Sequence, residues 1–168
     1  MAWPVEWYTS FNSIRGILGV SDEEGALEDD YLGGDYVEAS LHLALTALGS
    51  ALPADFAAAK NVAYASRTEA QQTLALLVPM FAALAVARAV GPSLPMLAKT
   101  ITDGKASFSR FADAPYKETL ARVEAEYWTA RSTLAETYAA ITGGTSGSVA
   151  MPTFLVGAGA SVDRVTNA

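Results

Sequence analysis

The chain has 168 residues, 51% hydrophobic and 17% charged, with a formal net charge of −7. That length holds one domain with a proper core, and the composition excludes a disordered polypeptide. Having no cysteine excludes disulfides, thiolate metal sites and cysteine nucleophiles, and 11 basic residues, nowhere clustered, against 18 acidic ones give no footprint for gripping nucleic acid.

Much of the apolar content is alanine, which favours helix over strand. The opening residues Met1-Ala2-Trp3-Pro4-Val5-Glu6 have neither a basic start nor an apolar run, so no secretory leader is expected. Thr9 is placed to cap a short helix through Leu18, with Phe11, Ile14, Ile17 and Leu18 on one face. Ser21-Asp22-Glu23-Glu24 has the spacing of a capping box, and a short helical piece over Leu27–Leu32 stops at Gly33-Gly34. Asp35 is expected to cap the next helix, which carries Tyr36, Leu41, Leu43, Leu45 and Leu48 and ends at Gly49.

Pro53 fits a first helical turn, and the helix from Ala54 is expected to reach about Tyr64. Ser66-Arg67-Thr68-Glu69 reads as a capping box that restarts the chain. From Glu69 to Val90 the pattern is apolar almost all round, which predicts a helix buried on most sides, kinked at Pro79 and ended by Gly91-Pro92. Its uncharged stretch, Thr73 to Ala87, falls short of the roughly 20 residues that span a bilayer. A membrane-anchored protein is therefore a rival to the core-helix reading, not the first choice.

Asp103-Gly104 is a turn signal, and Ala106 to Phe111 alternates with period two, predicting a short strand-like loop near 104–111 that presents Phe108. Asp113 can cap a long last helix over about 115–141, with Pro115 in its first turn. Tyr116, Leu120, Val123, Tyr127, Leu134, Tyr138 and Ile141 share one face of it, and Lys117, Glu118, Arg122, Glu126, Arg131 and Glu136 lie mostly outside. A Gly/Ser spacer, 143–148, and an extended apolar tail, Met151-Pro152-Thr153-Phe154-Leu155-Val156, follow. The fold expected is mainly α: a bundle around a buried central helix over residues 1–142, then a spacer and docking tail over 143–168. Ordering such a tail costs about 1–2 kcal/mol of backbone entropy per residue, more than a small domain regains alone. The tail is thus expected to find its order on a neighbouring chain, which suits an assembly part better than an enzyme.

Chemistry-bearing residues are few. His42, the one histidine, sits between leucines without an accompanying partner motif, as a structural residue does; a general base would need an acid or nucleophile beside it. Glu23/Glu24, Asp29/Asp30 and Glu124/Glu126 read as solvated helix faces, since a bundle metal site wants Glu-x-x-His. A helical enzyme or metal protein built on them would have only oxygen donors to offer a metal. No helix pattern follows Gly157-Ala158-Gly159-Ala160, and Gly143–Ser148 lacks a lysine, so neither is a nucleotide loop. No metal and no cofactor are expected. Trp3, Trp7 and Tyr8 either fold back onto the core or serve as interface anchors.

The order of parts is similar to that of the head–tail connector, or adaptor, proteins of tailed bacteriophages. The residues that carry the likeness are Ile17-Leu18-Gly19-Val20-Ser21-Asp22-Glu23-Glu24, the Ala/Leu-rich central helix, and the turn and strand from Thr102 to Phe111. The long closing helix and the Val162-Asp163-Arg164-Val165-Thr166 segment complete it. The resemblance covers nearly the whole chain in layout. It implies a non-enzymatic virion protein, assembled in the bacterial cytoplasm. Its copies would form a ring, twelve-fold in the family, between portal and tail, extend the DNA channel and offer the surface on which the tail or a tail-completion protein is built. It further implies that Met151, Pro152, Thr153, Phe154, Leu155, Val156, Val162 and Val165 dock on the portal or a neighbouring subunit. Lys105, Phe108, Arg110 and Phe111 would then lie between subunits or rings. Another virion ring part, such as a tail-completion protein, shares this layout.

Overall fold

The computed structural model describes residues 3–20, 27–94 and 114–143. Seven α-helices lie within them: α1 (Val5–Tyr8), α2 (Phe11–Leu18), α3 (Asp29–Leu32), α4 (Asp35–Thr46), α5 (Leu52–Asn61), α6 (Glu69–Val90) and α7 (Ala114–Thr142). Single 3-10 turns occupy Tyr64–Ser66 and Gly91–Ser93, and no strand occurs among the described residues. The mainly α class with a long central helix and a long last helix is thus the architecture of the protein. The strand-like loop near 104–111, the Ser21–Glu24 box, the Asp113 cap and the tail over 151–168 lie outside the described residues.

Several boundaries depart from expectation for local reasons. Ser10, not Thr9, caps α2: its hydroxyl accepts the Ser13 N–H at 3.2 Å, while the Thr9 N–H closes α1 on the Val5 carbonyl. Gly34 is the N-cap of α4 and Asp35 its first helical residue, where the carboxylate still faces the positive end of the helix. The capping box that starts α6 is Thr68 with Gln71, not Ser66 with Glu69. The Thr68 N–H donates to Gln71 Oε1 at 3.0 Å, and the Gln71 N–H donates to Thr68 Oγ1 at 3.3 Å. An N-cap needs extended backbone, which Thr68 has; Ser66 is already in the 3-10 turn. Helix α4 stops at Thr46, short of Gly49. Gly49 serves close approach instead, because a Cβ there would run into the Tyr138 ring.

Helix α6 is the hub: α1, α2, α4, α5 and α7 all pack against it. It runs unbroken through Pro79 and has two regimes. Residues 81–87 are buried on every side. Before them the helix is one-sided: Leu74 and Val78 are buried, while Leu76 is 73% and Met80 49% exposed. The expectation of burial on most sides therefore holds only for the second half. The segment Glu69–Ser93 is long and apolar enough to cross a membrane, with mean hydropathy 2.0, but 61% of its most apolar window is covered by the rest of the chain.

Helix α7, about 43 Å long at 1.5 Å per residue, runs antiparallel to α6. Tyr127 stacks on Phe81 with ring centres 5.4 Å apart, and nearer the start of α7 the Tyr116 hydroxyl donates to the Gly91 carbonyl at 2.7 Å. Tyr116, Val123, Tyr127, Leu134 and Tyr138 are buried as their shared face predicts, with Leu120 and Ile141 half-buried. Towards its end, the Tyr138 hydroxyl donates to Asp55 Oδ2 of α5 at 2.6 Å.

Phe81→Ala should cost about 3–5 kcal/mol and Leu76→Ala no more than about 0.5 kcal/mol, measured by urea unfolding; equal losses would contradict the two regimes of α6. Burial pushes the Tyr116 phenol up to about 12, and burial followed by the bond to Asp55 does the same for Tyr138. A raised phenol stabilises the fold fully below its unfolded value, about 10, and that contribution is lost as pH climbs towards 12. Melting temperature should therefore fall between those limits, and the fall should flatten in the Tyr116→Phe/Tyr138→Phe double variant.

Candidate functional site

Three surface features are built well enough to bear function. The first is the aromatic cluster at the start of the chain. Trp3 stacks on Trp7 at 4.7 Å, and Trp7 meets Tyr8 and Phe56 edge-on at 5.4 and 5.3 Å. Tyr8 lies flat against Phe56 at 5.6 Å. The Lys60 ammonium sits 4.5 Å above the Trp7 ring and also donates to the Trp7 carbonyl. Of the three sequence-derived anchors, Tyr8 is 3% exposed and belongs to the core, where burial pushes its phenol up. Trp7 is half-buried, and Trp3 keeps 37% of its surface in water.

The second is a charged and aromatic seam where α6 meets α7. The Arg88 guanidinium binds both carboxylate oxygens of Glu124, with its Nη2 3.0 Å from Oε1. Trp128 Nε1 donates to the same Oε1 at 2.7 Å. Arg88 also lies 4.7 Å from the Tyr127 ring centre and 5.3 Å from that of Trp128, whose ring takes Arg131 at 5.4 Å as well. The Arg88 bond is the main cause that holds the Glu124 carboxyl below its usual range, and the Trp128 N–H adds to it. Beside this seam a concavity of about 390 Å³ is lined by Tyr36 and Ser40 of α4 together with Arg88 and Glu124. The Glu124–Trp128 spacing of four is visible in sequence; the arrival of Arg88 from another helix is not.

The third is an open groove of about 480 Å³ on the other side of α7 from Glu124, lined chiefly by Ile17, Met80, Leu84, Ala125, Thr129 and Ala130. Leu76, one turn before Met80 on α6, continues its apolar stripe towards the C-terminal end of α7. Sequence reading missed this groove because its walls come from α2, α6 and α7, and because a continuous apolar run hides which of its residues stay uncovered.

The remaining candidates are structural in what they touch. The buried Arg15 donates twice to the Leu27 carbonyl, at 3.0 and 2.7 Å, and pairs with Asp29, which ties α2 to the start of α3. His42 Nδ1 is buried and has no hydrogen-bond partner. Among the described residues no three of His, Asp and Glu come together as a metal-binding group. The docking residues Met151 to Val156, Val162 and Val165 lie outside the described residues, as do Lys105, Phe108, Arg110 and Phe111.

Comparison with protein-family models, with curated proteins and with solved structures finds no match to this chain.

Both side chains of the Arg88–Glu124 pair are about two-fifths exposed or more, so solvent screening leaves it worth less than about 1 kcal/mol. Because the Glu124 carboxyl is lowered in the fold, its contribution is present above the unfolded value of about 4.3 and lost as pH falls through the folded one. Glu124→Gln should thus lower stability slightly at pH 7, and the deficit should shrink as pH falls below about 4.3, in paired denaturant titrations. A deficit that persists in acid would mean that Glu124 acts by packing rather than charge.

Proposed function

We propose that this chain is a structural virion protein whose copies form a ring, twelve-fold as in the connectors it resembles, between portal and tail. The ring extends the DNA channel and provides the surface to which the tail attaches. The observation that carries the reading is the placement of uncovered apolar side chains on different elements of one small domain. Tyr36 and Leu43 stand out from α4, and Leu76 and Met80 from α6. A ring joins subunits head to tail, so each copy needs two different patches that complement one another.

Charge supports the same reading. A net −7 per subunit, multiplied around a ring, gives a wall past which DNA moves without being held. The apolar segment at 151–156 then serves as the arm that binds the portal or the adjacent subunit, adding a strand or filling a groove. A tail-completion ring would use the same surfaces and differ only in its neighbour. The apolar length of α6 favours one rival outside the virion, a membrane-associated helical protein.

The test is the mass of the purified protein, alone and after mixing with its candidate portal ring. A stoichiometric ring complex is expected. A chain that ignores the portal and partitions into detergent would replace this reading with the membrane one. Removal of residues 151–168 should leave cooperative melting intact and abolish attachment, and Phe154→Asp should weaken attachment in the same assay. Loss of cooperative melting on truncation would place the tail in the core instead.

A further inference from the structure

We propose that in the unassembled subunit the segment Met151–Val156 folds back and occupies the apolar groove of its own chain, between α2, α6 and α7. This goes beyond the portal-binding reading and is independent of it, since it concerns where the segment rests when no partner is present.

Reach is the first argument. Seven residues, 144–150, separate Gly143 from Met151, and at about 3.3–3.6 Å per extended residue they span up to about 24 Å. Thr133, at the near end of the groove, lies nine residues before the end of α7, about 14 Å along the axis at 1.5 Å per residue, and Ala125, at the far end, about 26 Å. Met151 can therefore lie beside Thr133, and the next few residues, running antiparallel to α7, cover the remaining distance of about 12 Å.

Direction is the second. Gly143 has φ +67°, the left-handed conformation that ends a helix and turns the chain out of its axis. Chemistry is the third. Apart from Glu126, which is paired with Arg122 at 3.0 Å, the groove walls are apolar or hydroxyl-bearing, and the chain carries no charge from Gly143 to Val162. A volume of about 480 Å³ has room for the larger side chains of the segment, Phe154 and Leu155 among them.

Energetics decide between this chain and a second copy. Seen from the sequence alone, the tail repays its ordering poorly, because only its own apolar surface is counted. The groove adds the exposed Met80, the half-buried Ile17 and, by continuity, the exposed Leu76. A segment tethered by a short Gly/Ser spacer meets its site at an effective concentration near millimolar. A groove that accepts this segment is thus filled from within before a dilute second copy can supply it. The cover is exchangeable, because only a short segment holds it, and assembly can release it.

The absence of cysteine allows a direct test in the full-length chain. Thr133→Cys with Phe154→Cys should oxidise to a disulfide within the monomer, since bonding needs the two Cα atoms within about 7 Å. Ala135→Cys with Phe154→Cys is the control: it lies at nearly the same distance from the tether but about 200° round the helix. The first pair should close about tenfold faster or more at low micromolar protein, and Met80→Glu, at a half-exposed position, should slow it to the control rate. Equal rates for the two pairs, no effect of Met80→Glu, or a disulfide found only between two chains would each overturn the proposal. None of those results would touch the portal-mixing assay.

Discussion

The fold rests on the burial of one stretch of helix. Residues 81–87 of α6 have protein on every side, and each of the longer neighbouring helices packs against α6. Most of that stretch is alanine and valine, which allows the neighbours to approach α6 closely, and the ring of Phe81 fills the space against Tyr127. Fully burying a side chain such as Phe or Val is worth about 1.5–3 kcal/mol, so a seven-residue stretch buried on all sides makes up a large part of the margin of so small a domain. The other helices need no strong preference of their own: α1 and α3 have four residues each and would not persist in isolation.

Where the sequence was legible, a periodic signal met a punctuating residue. Helix α7 is the clearest instance, because its apolar residues recur at helical spacing over 29 residues and stay on one face throughout. The start and end of α6 are equally plain, set by a polar box before and Gly91-Pro92 after. Caps were misplaced by one or two residues, because Thr9 and Ser10, or Ser66 and Thr68, offer the same chemistry. The 3-10 turn takes up Ser66 and leaves Thr68 extended, whereas Thr9 and Ser10 are both extended and Thr9 is used to close α1. The apolar run of α6 failed differently: hydrophobicity all round says that a helix wants cover, but not that its partners reach only half of it.

The surface features show the same divide. Trp3, Trp7 and Tyr8 were visible as a cluster, and only Phe56 and Lys60, some fifty residues onward, decide that Tyr8 turns inward while Trp3 does not. The Arg88–Glu124–Trp128 seam and the groove at Met80 depend on which sides of α6 and α7 meet. That is a tertiary fact with no local signature, and it left both surfaces invisible to pattern reading.

The two tyrosine hydroxyls on α7 have a mechanical consequence. Tyr116 ties one end of the helix to the turn after α6, and Tyr138 ties the other to α5. A long helix held at one end bends under load, whereas one held at both ends passes axial force to the elements that hold it. In a stack of subunits bearing pressure along the helix direction, α7 would act as a strut and share the load between the far end of α6 and the first turn of α5. The two phenols thus add a fixed point at each end of a helix already packed along α6, and with it stiffness, which is a property separate from stability.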